Sequence, residues 1–472
     1  MEKELKKITE VVEKKDRPIR IVQFGQGRFL RAFIDEFIHD ANEANKYDGS
    51  ICVLKPRKGG SVSAFYNQNC LYTLVTKGMA EGKTVHENKI ITSLHSIYQC
   101  DKNYNEFLQL AELATIEVVV SNTTEAGISV SYDDRQSDLP PDKYPAMLTQ
   151  FLYKRYIAFS GRDDSGLIIL PLELNENNGT LLKEKVNEYI RIWGLASDFK
   201  EWVNRCNVFC NTMVDRIVSG YKKESLPYLD ELIDVCEPYR FFVIETDEPE
   251  AVKKHFPVVN KNTDIVFTTS LKPYRERKVK ILNGIHTAVT LMAINLGYRY
   301  VHEVMEDATL FHYIKSMVEA EIIPTIDMEQ NDLNRYTEDV FQRFKNPFLN
   351  HELKSIALNS VNKWRVRVLP SISAYKERYG IYPKRLIFSL ATLINYYIKG
   401  LIGEKYNVDD SPNVLEIFIE SSNHDINWLL SRRELWEDDV EQMKELIPFI
   451  TRYIELIDNV GIKGAVCKIC EW

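Results

Sequence analysis

The stretch Ile19-Arg-Ile-Val-Gln-Phe24-Gly25-Gln-Gly27-Arg28-Phe29-Leu30-Arg31 decides the fold. Its first six residues alternate and are rich in β-branched side chains, which predicts a strand. Ala32-Phe33-Ile34-Asp35-Glu36-Phe37-Ile38 then follows with the apolar spacing of an amphipathic helix. Strand, glycine turn and helix in that order are the context of a dinucleotide-binding unit. Gly25 permits the tight turn, and Gly27 lets the backbone approach a pyrophosphate at the helix N-terminus. Leu30 stands where a third glycine is usual, so the turn alone also suits an ordinary βα connection.

Working outward, Ile51–Leu54, Ile116–Val120, Leu167–Leu170, Phe241–Ile244 and Ile265–Thr268 read as further strands. Helix-like segments such as Leu181–Trp193 lie among them, and that alternation is the mark of an α/β fold with a largely parallel sheet. Beyond Val279 the texture changes. Ile281–Leu296, Val301–Val318, Leu386–Leu401 and Asp438–Ile457 all carry helical apolar spacing. The expectation is a Rossmann-type dinucleotide-binding α/β domain over residues 1–278 and an all-α substrate domain over 279–472.

Composition excludes several classes. At 472 residues the chain exceeds one ordinary core, and 44% apolar with 27% charged residues is globular usage. A net charge of −8 argues against a nucleic-acid partner, which needs a basic footprint. No apolar run approaches the ~20 residues that cross a bilayer. Met1-Glu-Lys-Glu-Leu-Lys-Lys lacks a signal-peptide core, so a cytoplasmic protein is expected. Cys206 with Cys210 and Cys467 with Cys470 are too sparse for a zinc site. His302, Glu303, Glu306 and His312 lack the H-E-x-x-H spacing, so no metal is expected. No heptad seam reveals an oligomeric state.

The chemistry concentrates in Lys272-Pro-Tyr-Arg275-Glu-Arg277-Lys278-Val-Lys280-Ile-Leu-Asn283-Gly-Ile-His286. A lysine crowded by cations and partly buried has its charged form disfavoured, as a general base requires. Asn283 and His286, three apart, share a helix face and can both reach an oxygen that gains negative charge. Read without that chemistry, the segment is a helix start with a wet basic side. Arg275, Arg277 and Lys280 are expected to draw in an anionic substrate. Downstream, Trp364-Arg365-Val-Arg367 offers guanidinium groups for a bidentate carboxylate clamp, or a solvated edge. Lys376 is a weaker candidate for the same task.

Together these segments resemble the mannitol dehydrogenase family of polyol-specific long-chain dehydrogenases. Gly25-x-Gly27-x-Phe29-x-Arg31 and Lys278-x4-Asn283-x2-His286 carry the resemblance. Ser121-Asn-Thr123-Thr124-Glu125-Ala-Gly127, Leu170-Pro-Leu-Glu173-Leu-Asn-Glu-Asn-Asn178-Gly179 and Met213-Val-Asp215-Arg216-Ile217 extend it in family order. The resemblance implies hydride transfer with a nicotinamide cofactor and no metal. It implies Lys278, Asn283 and His286 as catalytic residues. Gly25, Gly27, Arg28, Phe29, Thr123, Thr124 and Glu125 would lie on the cofactor, and Asn178 and Asp215 on the substrate. Polyol-specific members carry Asp-Asn where this chain has Glu173-Leu174. That departure points to a small sugar acid and leaves Asn178 as the substitute donor. Lys55 and Arg57, at the end of the second strand, suit a 2′-phosphate and lean toward NADP; the resemblance implies NAD. Fructuronate reduction, or oxidation of mannitol or mannitol phosphate, is the alternative within the family. Outside it stands a non-catalytic NAD-binding regulator, which would be expected to lose Lys278, Asn283 or His286.

Overall fold

The computed structural model describes residues 5–220, 224–256, 264–401 and 408–471. The chain divides into two compact units, residues 1–77 with 84–271, and residues 272–472 with the hairpin tip 78–83.

The first unit is built on β1 (Ile19–Phe24), β2 (Ser50–Lys55), β3 (Tyr72–Ala80), β4 (Lys83–Ile91), β5 (Leu94–Gln99), β6 (Val118–Ser121), β7 (Ile168–Pro171) and β8 (Val208–Phe209). Six of these form one sheet in the order β5-β2-β1-β6-β7-β8. Every pairing in it is parallel. Relabelled by position within this sheet, that order is 3-2-1-4-5-6, the doubly wound Rossmann arrangement. Parallel strands buried on both faces read as continuous apolar runs, which is why they were visible in the sequence. In β6, Val118 and Val120 enter one core and Val119 the other.

Two strands predicted for this sheet lie elsewhere. Phe241–Glu245 (β11) pairs antiparallel with Asn211–Asp215 (β9) and parallel with Ile265–Thr268 (β12) in a separate three-stranded sheet. Asp234–Cys236 (β10) joins β3 and β4 in another.

The predicted first helix begins two residues late, and a separate helical turn precedes it. α1 covers only Arg28–Arg31, Phe33 breaks the path at φ −135 and ψ −84, and α2 runs Ile34–Glu43. The helices flanking the sheet are α3 (Tyr144–Ala158) and α4 (Asn178–Ile192).

No described residue after β12 belongs to a strand, so the second unit is helical. α5 (Gly284–Asn295) follows a π-helical turn at Lys278–Asn283. The long helix expected over 301–318 is broken at Asp307, whose carboxylate accepts from the Thr309 and Leu310 amides and caps a new helix. Further on come α6 (Gln330–Phe344), α7 (Ser360–Arg367), α8 (Lys384–Leu401) and α9 (Ile447–Glu471). Among the described residues no helix is long and apolar enough to cross a membrane.

Candidate active site

In the first unit the strand order reverses between β1 and β6, and ligands of such sheets bind beyond the strand C-termini at that point. The loops found there are Gly25–Gly27 after β1 and Asn122–Gly127 after β6. Gly25 has φ +126, and a Cβ on it would stand 3.1 Å from the Asn122 carbonyl oxygen. Only glycine satisfies both conditions. Gly27 caps α1 and has no atom within 4 Å of where its Cβ would be. A bare backbone with open space above it, beside the reversal point, fits a pyrophosphate. Arg28 is exposed and packs against Gly220. Phe29 is half-buried and stacks on Phe33 with ring centres 5.0 Å apart, so it also anchors the turn to the core.

The second loop is knitted to the segment after β7. The buried Glu173 carboxylate accepts from Ser121 Oγ at 3.0 Å, Thr123 N at 2.8 Å and Thr123 Oγ1 at 3.0 Å. Burial raises its pKa against the pull of those donors. Asn122 donates to the Leu172 carbonyl, and Asn175 to that of Glu125. Thr124 is left at φ +102, and Thr124 and Glu125 are exposed.

Asn178 takes a different part from the one expected. Its side chain is 0% exposed, its amide nitrogen faces the Pro171, Glu173 and Thr212 carbonyls, and its oxygen accepts from the Gly179 and Thr212 amides. A carboxamide so engaged has no group left for a substrate; it fastens α4 to β7 and β9. Asp215 is buried at the end of β9. Its neighbour Arg216 locks that strand to α2 through Glu36 and the Ala32 carbonyl.

Lys55 does not present a free ammonium for a 2′-phosphate. It is 6% exposed and donates to the carbonyls of Arg57, at 2.6 Å, and Gly59. The Asp101 carboxylate meets the Gly59 amide at 2.9 Å, adding negative charge to the same loop.

In the second unit, a π-turn's i→i+5 bonding brings residues five apart into register, where an α-helix aligns those three or four apart. Lys278 and Asn283 are the two ends of that turn. Asn283 and His286 are half-buried. The Asn283 carbonyl accepts from Thr287 Oγ1 at 2.8 Å, and Arg367 Nη1 reaches the same hydroxyl at 3.5 Å. His286 stacks on Phe344 at 4.2 Å and meets His351 edge-on at 5.2 Å. Its Nε2 is buried without a hydrogen-bond partner. Burial first, then His351, Arg343 and Arg367, push its pKa well below the usual histidine value. The ring is therefore neutral near pH 7, and that nitrogen has no partner within the protein.

Two members of the basic run are engaged within the protein, contrary to expectation. Lys280 is 7% exposed and is held by Glu276 and the Thr325 carbonyl. Arg277 is buried over the Tyr336 ring, at 4.1 Å from its centre. Neither adds an open positive field. Arg365 and Arg367 fail as a pair because they sit two apart on α7, and such residues do not share a face. Arg365 is tied to Glu437 at 2.8 Å and Asp439 at 3.3 Å. Arg367 alone lies on the Asn283–His286 side. Phe344, Arg343 and His351 went unnoticed in the sequence, because nothing but tertiary packing brings them to His286. Among the described residues no group of three metal-ligating side chains occurs.

Two family models match the chain. The mannitol dehydrogenase Rossmann domain covers residues 19–256, and the mannitol dehydrogenase C-terminal domain covers 270–458. An altronate oxidoreductase of Bacillus subtilis (strain 168) is 37% identical over 96% of this chain and 95% of its own length. Another, from Enterobacter sp. (strain 638), is 36% identical over 96% and 97%. Among solved structures, Pseudomonas fluorescens mannitol 2-dehydrogenase in ternary complex with NAD and D-mannitol superposes with a TM-score of 0.64 at 20% identity, covering 97% of this chain and 95% of its own. A substrate-free D-sorbitol dehydrogenase gives 0.75 at 20% identity, covering 95% of each chain. The two solved structures speak to fold alone.

Proposed function

The chain belongs to the mannitol dehydrogenase family, and on that premise we propose that it interconverts D-tagaturonate and D-altronate with NAD, Lys278 serving as acid and base. One observation carries the substrate reading: full-length likeness, at 36–37% identity, to altronate oxidoreductases. Leu174 in place of the amide of polyol-specific members supports a sugar acid over a polyol.

The nicotinamide supplies or accepts the hydride when bound. Gly25 and Gly27 would hold the pyrophosphate of the dinucleotide, and the Thr123–Glu125 loop would flank it. Lys278 returns a proton to the carbonyl oxygen during reduction and removes it from the hydroxyl during oxidation. Asn283 donates to that oxygen, and the neutral His286 ring donates through the nitrogen that has no partner in the protein. Arg367 receives the substrate carboxylate, an anion against a guanidinium that burial has made less well hydrated. NAD is favoured over NADP because the Lys55 ammonium is engaged by its own loop and Asp101 stands beside it.

The test is a panel of tagaturonate, fructuronate and fructose, each assayed with NADH and NADPH. Tagaturonate with NADH is expected to give the highest kcat/KM. Preference for fructuronate or fructose would move the protein elsewhere in the family. No turnover on any, with NADH still bound, would leave a non-catalytic binder.

A further inference from the structure

Glu173 takes no part in proton or hydride movement as proposed above, yet its surroundings are those of a group with a task. It is 3% exposed and takes three hydrogen bonds from one short segment. Directly beyond that segment, Thr124 sits at φ +102, a region that β-branched residues avoid. Such a bend persists only where the neighbouring structure over-determines it. Thr123 is bound on one side and closely approached on the other. Its hydroxyl is bound by Glu173, and the place of a Cβ on Gly127 lies only 2.3 Å from Thr123 Oγ1, so any larger residue there would displace it.

The geometry points to Glu173 as a positioning residue: its carboxylate fixes the Ser121–Thr123 segment and, through it, the Thr124 bend that offers Thr123–Glu125 to the nicotinamide dinucleotide. This rests on the reading that the chain binds that cofactor. An ionised acid suits the place for a simple reason. Three donors converge, and an ionised carboxylate is acceptor only. In Glu173→Gln the amide NH2 must face one of them. The Ser121 hydroxyl can rotate to accept from it; the Thr123 backbone amide cannot. Glutamine can therefore keep the three contacts as weaker, neutral hydrogen bonds, and alanine keeps none.

NADH binding to the full-length chain, followed by fluorescence titration, tests the assignment alongside kcat at saturating NADH and a thermal melt. Glu173→Ala should raise the NADH Kd by about tenfold or more, on the scale of one buried charge-assisted bond, with kcat within about threefold of wild type. Glu173→Gln should raise it by about threefold. A cooperatively melting Glu173→Ala with wild-type Kd overturns the assignment, as does a loss confined to kcat. If the alanine variant does not fold, Glu173→Gln decides, and an unchanged Kd for it is equally fatal. Binding requires no sugar acid. A wild-type protein that binds NADH but reduces no hexuronate would remove the proposed function and leave this test standing. One that binds neither NADH nor NADPH would remove both.

Discussion

Around Gly25 and Thr123 the backbone carries the geometry, whereas around Asn283 and His286 the side chains of several helices do. Gly25 holds φ +126, Thr124 holds φ +102, and Glu173 pins the loop through a main-chain amide as well as two hydroxyls. The His286 environment comes instead from Phe344 on α6, Arg367 on α7 and His351 in a loop. The first arrangement has few degrees of freedom and tolerates little. The second should lose chemistry by side-chain truncation while its backbone stays in place.

Substitutions can break that contrast, and the largest effect is expected at Lys278. Lys278→Ala should lower kcat by about 10³-fold, within the range for a lost general acid or base, with NADH affinity unchanged. Turnover near wild type would end the assignment. Next come Asn283→Ala and His286→Ala, each costing about 10²–10³ in kcat as oxyanion donors do. Because the His286 pKa lies well below the usual 6.5, the ring stays neutral from pH 6.5 upward. The loss in His286→Ala should therefore be constant between pH 7 and 9, and a loss that varied with pH would contradict donation by a neutral ring.

On the backbone side, Gly25→Ala forces an unfavourable conformation costing about 1–3 kcal/mol, which a melt without cofactor would show as a lower Tm. The smallest effects separate the two arginines of α7. Arg367→Ala should raise the sugar-acid KM and spare Tm. Arg365→Ala should lower Tm, through its lost ties to Glu437 and Asp439, and spare KM. The reverse pattern would exchange their roles.

Much of the fold was legible because buried parallel strands write themselves as apolar runs, as β2, β6 and β7 did, while β1 showed itself by alternation. Pairing was not. Phe241–Ile244 and Ile265–Thr268 carry the same texture, and the antiparallel partner that diverts them, Asn211–Asp215, is polar at both ends. The break at Phe33 and the cap at Asp307 are local events beneath a helical pattern that runs straight through them. Within the candidate site, the glycine turn could be read because only one residue type serves there. The fates of Lys280, Arg365 and Asn178 could not, since a charge or amide in a sequence does not announce the partner it will meet. Glu173 was noticed only as a departure; what distinguishes it is three donors from a loop fifty residues earlier.

A π-turn is an α-helix carrying one surplus residue. Between Lys278 and Asn283 that surplus sets the rotational register between the amine and the carboxamide. Excising a single residue from 279–282 would leave the two four apart and still aligned on an ordinary helix, but rewinding the intact segment as an α-helix would swing Lys278 by about a quarter-turn relative to Asn283. Every side chain of the triad would survive, yet they would no longer converge. The proposed apparatus thus depends on winding as much as on an inventory, and a change that lost the wider turn could disable it as thoroughly as losing the lysine.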